Sequence, residues 1–177
     1  MQQKLERDNL FGTMIKEVNG QLRRLYNVIG KRRILLSSKL IGAASVIIDS
    51  ERKILLVKHS YGRYNWDLPG GKAESNESVE ETAIREAFEE VGVRIKVGEI
   101  TGIYYDPTYD MHHFVFLSQI DEDMMPTPSS PEILECGYFN IDELPKPMSE
   151  FTYNRIHDAL NNAKKQIHTI GPRKWIE

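Results

Sequence analysis

Trp66-Asp67-Leu68-Pro69-Gly70-Gly71-Lys72-Ala73-Glu74 runs into Ser78-Val79-Glu80-Glu81-Thr82-Ala83-Ile84-Arg85-Glu86-Ala87-Phe88-Glu89-Glu90-Val91-Gly92. The second part predicts a helix over 79–91 with both ends encoded. Ser78, followed three residues later by Glu81, forms a capping box in which hydroxyl and carboxylate each satisfy one orphan backbone donor. Gly92 supplies the left-handed stop. At helical spacing Ile84, Ala87, Phe88 and Val91 make an apolar stripe that belongs to the core. Glu86, Glu89 and Glu90 share about one turn on the face turned away from it, where their like charges cost roughly a few tenths of a kcal/mol per pair. Either solvent absorbs that repulsion, as on any acidic helix face, or something binds there.

Two neighbours favour a site. Arg85 lies one turn before Glu89 and beside Glu86, with Glu77 just ahead of the cap, so its guanidinium fork can fix several carboxylates at once. The Pro69-Gly70-Gly71 element allows close backbone approach, and its carbonyls can serve a hard cation. Oxygen donors without Cys or His select Mg²⁺ or Mn²⁺, and a partly open site of this kind suits phosphate oxygens. The expectation is metal-assisted phosphoryl chemistry. An EF-hand is excluded because the Asp-x-Asp-x-Asp-Gly spacing is missing, and a Walker loop because Gly-Lys-Ser/Thr is missing.

Outside this stretch the chain reads as one main domain. Its 177 residues suit a single domain with a terminal appendage. A formal charge of −3 advertises neither nucleic-acid wrapping nor an anionic membrane surface. The single Cys136 excludes an intrachain disulfide and a cysteine zinc site. No apolar run reaches the roughly 20 residues of a membrane helix, and the chain reads as soluble and cytoplasmic.

Leu10, Met14, Val18, Leu22, Leu25 and Ile29 recur at helical steps, giving an amphipathic N-terminal helix that ends at Gly30–Arg33. The boundary divides 1–37, helix and junction, from 38–177, the main domain. The apolar stripe of that helix must be buried, either on its own domain or on a second copy of the chain, and a homodimer is the expectation for the assembly.

Strand-like runs cover Leu40–Ile48 and Lys53–Lys58, joined by a turn-forming Asp49–Arg52 and read as a hairpin. Further strands fall at Ile95–Tyr105, His113–Ile120 and Glu135–Ile141. The Pro-rich stretch Asp121–Glu132 is either a functional rim or disordered. Phe151, Ile156, Leu160, Ala163 and Ile167 predict a closing helix. There is no internal repeat.

Gly71, Glu77, Arg85-Glu86, Glu89-Glu90 and Gly92-Val93 at these spacings resemble the Nudix box of Nudix (MutT-like) hydrolases. The lead-in Leu68-Pro69-Gly70-Gly71 and the later Glu132–Phe139 with Asp142–Pro145 are similar to the family's flanks. The resemblance covers about Leu40 to Ala163. One position departs from the pattern: Ala87 stands where the family has a bulky aliphatic residue, which bears on packing.

The resemblance implies an α/β fold of α+β type, a mixed β-sheet sandwiched between helices, here with the extra N-terminal helix. It implies hydrolysis of a pyrophosphate bond in a nucleoside diphosphate linked to another moiety. Glu86, Glu89, Glu90 and the Gly70 carbonyl would hold Mg²⁺, with Mn²⁺ possible, and Arg85 would orient them with Glu77. The general base would be Glu86 or Glu132. Pro107 resembles a cue of ADP-ribose pyrophosphatases and Tyr109 one of dinucleoside polyphosphate hydrolases, so the two cancel.

The partner is thus a small nucleotide, with no membrane and no nucleic acid. The alternatives are an RNA 5′-pyrophosphohydrolase, favoured by Lys31-Arg32-Arg33, and a non-catalytic nucleotide-binding module, disfavoured because every box carboxylate is present.

Overall fold

In the computed structural model, residues 39–121, 124–161 and 167–177 are described. The N-terminal helix, the 1–37 boundary, the basic cluster and the dimer they suggest lie outside these residues, as does Ala163.

The runs Leu40–Ile47 (β1) and Ile54–His59 (β2) are almost uniformly apolar and almost uniformly buried. A strand buried on both faces reads as a continuous hydrophobic run, and that is their situation. Ala44, Val46, Ile54 and Leu56 point into one core, while Ala43, Ile47, Leu55 and Val57 point into another. The expected turn is present: Asp49 Oδ1 accepts from the backbone N–H of Glu51 at 2.9 Å and of Lys53 at 2.8 Å. The hairpin is not. Beyond one isolated bridge between Ile48 and Ile54 the strands diverge into different sheets. Each run has two edges to satisfy, and each takes its neighbours from elsewhere in the chain.

β1 lies between Gly70–Lys72 (β4), antiparallel, and Met111–Ile120 (β6), parallel. Ile95–Asp106 (β5) and Ile167–Thr169 (β9) complete a five-stranded sheet in the order β4-β1-β6-β5-β9. β2 lies between Trp66–Asp67 (β3) and Ile133–Phe139 (β7), both antiparallel. Met148–Ser149 (β8) and Trp175–Ile176 (β10) extend the second sheet to β10-β8-β3-β2-β7.

One core is closed by Val79–Val91 (α1), through Ala83, Ala87 and Val91. The other is closed by Glu150–Leu160 (α2), through Phe151, Ile156 and Ala159. The mixed α and β architecture is therefore as expected, with strands divided over two sheets. No helix among the described residues is long and apolar enough to cross a membrane.

Three features depart most from the sequence reading. β7 begins at Ile133 and ends at Phe139, and Ile141 belongs to a short 3₁₀ turn. The closing helix ends at Leu160, and Ile167 instead opens β9, where it pairs with Ile103 of β5. The stripe on α1 is rotated: Ala83, Ala87, Glu90 and Val91 are buried, whereas Ile84 and Phe88 are 39% and 51% exposed. Two alanines let α1 lie close to β1 and β4, and that close approach draws Glu90 inward. Ala87 is fully buried, so the small residue at the departing position is part of this packing.

His113 stands on β6 opposite Gly42 of β1 and Tyr104 of β5, its ring edge-on to Phe151 at 5.2 Å. Burial, then the Arg155 and Arg173 guanidiniums, push its pKa down to about 4, against the weaker opposing pull of Asp106 and Asp67. A histidine depressed in the folded state stabilises the fold above its unfolded pKa of about 6.5 and loses that contribution as pH falls toward the folded value. His113→Asn should therefore lose less stability than the wild type between pH 6.5 and 4, read as urea midpoints. Parallel acid sensitivity of the two proteins would contradict this.

Candidate active site

The site is built where α1 meets β4. Its cap geometry is the one the sequence encodes: Ser78 Oγ accepts from Glu81 N at 3.1 Å, Glu81 Oε2 accepts from Ser78 N at 2.8 Å, and Gly92 takes φ 70°. The stretch 124–132 seals the far end. Thr127 N donates to the Val91 carbonyl at 3.0 Å and Ser129 N to the Glu90 carbonyl at 2.9 Å. These carbonyls have no partner within the helix, so the Pro-rich segment is an ordered strap over the end of α1, and it delivers Glu132 to the acidic face.

Arg85 is the hub. Its Nε donates to Glu77 Oε1 at 2.8 Å and one Nη to Glu77 Oε2 at 3.1 Å and to the Lys72 carbonyl at 3.0 Å. The other Nη donates to Glu86 Oε1 and Glu89 Oε2, both at 2.9 Å. A lysine could not do this, because only the planar fork presents donors in several fixed directions. The Arg85 contacts, with the Glu74 N–H and Thr82 hydroxyl, hold the Glu77 carboxyl down at about 2.

Glu90 has a different environment. It is 6% exposed, and its Oε2 accepts from Gly70 N at 3.0 Å. Burial pushes its pKa up, the Gly70 N–H opposes this, and the charges of Glu86, Asp67 and Glu132 add to the rise, to about 8. Burial likewise raises Glu86, against Arg85. A Cβ on Gly71 would overlap the Glu86 carboxylate, so glycine there keeps the space in which that group lies.

The structure thus brings together Gly70, Glu77, Arg85, Glu86, Glu89 and Glu90, with Glu132 near enough to act on Glu90 electrostatically. Among the described residues no three acidic, histidine or cysteine side chains surround one point as a finished cage; Glu86 and Glu89 are turned onto Arg85 and Glu90 onto Gly70. The chemistry nevertheless fits a divalent cation. The donors are all hard oxygens, and a buried carboxyl crowded by three acids gains most from a neighbouring positive charge. The expectation that the three box glutamates share a face turned away from the core is corrected for Glu90, which is buried and accepts from the Gly70 N–H of β4.

Pro107 and Tyr109 are exposed residues of the β5–β6 turn, where Asp106 Oδ1 accepts from Thr108 N at 2.9 Å. Tyr104 is buried and donates to Asp158 Oδ2 at 2.6 Å.

A second network escapes the sequence reading. Asp67 Oδ1 accepts from Leu68 N at 2.8 Å, Thr152 Oγ1 at 2.8 Å and Arg155 Nη at 2.6 Å. Burial raises the Asp67 carboxyl, but Arg155, Thr152 and Leu68 outweigh it and keep it ionised. The lead-in to Gly70 is thereby clamped to α2. A signal existed in the sequence: Arg155 is four residues after Phe151 and four before Ala159, a charge inside the apolar stripe.

The NUDIX domain family model matches residues 39–159. The chain belongs to the Nudix family of hydrolases. It is 29% identical over 136 residues to a MutT-like protein of Streptomyces ambofaciens, covering 77% of this chain and 86% of that one. It is 32% identical over 108 residues to an ADP-ribose pyrophosphatase of Methanocaldococcus jannaschii, covering 59% and 64%. In three dimensions it is similar to a Nudix hydrolase from Nitrosomonas europaea, with TM-score 0.67 and 22% identity over 76% of this chain and 80% of that one.

Glu90→Gln replaces a buried charge by a neutral group that can still accept from Gly70 N. In the presence of chelator this variant should melt at or above the wild-type temperature at pH 8. A clear drop would show that the ionised carboxylate is itself a structural requirement.

Proposed function

We propose that the protein hydrolyses a pyrophosphate bond in a nucleoside diphosphate linked to another moiety, with Mg²⁺ as the cation and Mn²⁺ able to replace it. The observation that carries the reading is the Arg85-centred carboxylate cluster lying against Gly70, with Glu90 held inside it. Glu86, Glu89, Glu90 and the Gly70 carbonyl would hold the cation, whose part is to neutralise charge developing on the phosphate oxygens. Arg85 keeps Glu86 and Glu89 within reach of one another, and Glu77 keeps Arg85 in place.

The proton of the attacking water goes to Glu132. Support for this role comes from the strap, which folds over the end of α1 and fixes the Glu132 backbone to Ser60 N at 2.7 Å. Glu86 is the second candidate, but its Oε1 already accepts from Arg85, and the same carboxylate is wanted for the cation. The retained carboxylates favour an enzyme over a binding module, and the ADP-ribose pyrophosphatase relative favours a small nucleotide over an RNA end.

A panel of nucleoside triphosphates, nucleotide sugars and dinucleoside polyphosphates, assayed with Mg²⁺ for mononucleotide or phosphate release, tests the reading. At least one compound should be cleaved. Chelation should abolish turnover, and Glu89→Gln and Glu90→Gln should each lower it by about a hundredfold or more. Glu132→Gln should lower kcat with little change in KM. Turnover that survives chelation, or wild-type rates in the Glu89 and Glu90 variants, would refute the assignment.

A further inference from the structure

We propose that Tyr61 is the platform on which the planar base of the substrate stacks, with the His59 ring behind it. The inference rests on the nucleotide reading above and adds to it the residue that grips the base. Two tyrosines that follow the box are already engaged: Tyr104 is buried, bonded to Asp158 and stacked on His168 at 5.1 Å. Tyr105 donates to Asp110 Oδ1 at 2.7 Å and lies under Lys39.

Tyr61 is different. It is 54% exposed, and the residue before it, Ser60, donates its backbone N–H to the carbonyl of Glu132 at 2.7 Å. An exposed aromatic ring therefore stands beside the strap that carries Glu132. Its ring centroid lies 5.0 Å from that of His59 at a 41° tilt. His59 in turn walls a cavity of about 180 Å³ that runs past Asp67 and Leu68 to Gly70 and Gly71. With the base on Tyr61, the proposed path of the phosphates runs past His59, toward the Gly70 end of the cluster.

The loop that carries Tyr61 is braced on both sides, so little order has to be gained on binding. On one side Ser60 N donates to the Glu132 carbonyl at 2.7 Å and Ser60 Oγ to the Pro131 carbonyl at 2.8 Å. On the other, Arg63 packs its guanidinium 5.0 Å from the Trp175 ring and donates to Glu177 Oε1 at 3.0 Å. Tyr64 N closes the turn onto the Tyr61 carbonyl at 3.0 Å. Tyrosine suits such a position because it offers a large contact face with few rotatable bonds, and stacking tolerates any base because every base has a π-face.

Calorimetric binding to the full chain in Mg²⁺ buffer, with ADP and inorganic pyrophosphate as probes, tests the proposal. Tyr61→Ala should weaken ADP about tenfold or more and leave pyrophosphate within about twofold, while Tyr61→Phe should bind both as the wild type does. Unchanged ADP affinity in Tyr61→Ala overturns the proposal, and so does equal weakening of pyrophosphate, which would place Tyr61 in the phosphate end of the site. A wild type that binds pyrophosphate but not ADP overturns the nucleotide reading itself, and the proposal with it.

Discussion

The structure of the site depends on one guanidinium. Four carboxylates, Glu77, Glu86, Glu89 and Glu90, are crowded onto the start and one side of a single helix, and without compensation they would repel one another. Arg85 binds three of them and the Lys72 carbonyl, which joins α1 to the β4 end of the glycine turn. The fourth, Glu90, is reached by the Gly70 N–H instead. Helix, turn and sheet edge are thus held in register by polar bonds made at the site itself.

The rest of the fold serves that junction. Ala83 and Ala87 allow α1 to approach β1 closely. Asp67, gripped by Thr152 and Arg155, ties the lead-in of the turn to α2 on the opposite side of the molecule. The strap over the end of α1 brings Glu132 to the acidic face, and the Tyr61 loop is fastened to that strap through Ser60. Each element around the site is restrained by at least one bond to a different part of the chain, which is the kind of preorganisation on which electrostatic catalysis relies.

What the sequence made legible was local. Ser78, Glu81 and Gly92 specify the ends of α1 by bonds that span three or four residues, and Arg85 reaches its acids over one to eight residues. The tertiary partners of β1 and β2 were not legible, because a nearly continuous apolar run carries no alternating period with which to tell a hairpin from two separate central strands. The depth of Glu90 was hidden for a similar reason: a helical projection places it beside the other acids and holds no information about β4 lying along that edge. Arg155 could have been noticed as a charge in an apolar stripe, but its partner Asp67 is 88 residues away.

The central claim is that Glu86, Glu89, Glu90 and the Gly70 carbonyl share one divalent cation. Crystals equilibrated with Mn²⁺ and measured for anomalous scattering address it without reference to any substrate. The account predicts a peak bounded by these four groups, with Glu86 and Glu89 rotated from Arg85 toward it. A strong peak elsewhere, or none there at saturating Mn²⁺, would contradict it.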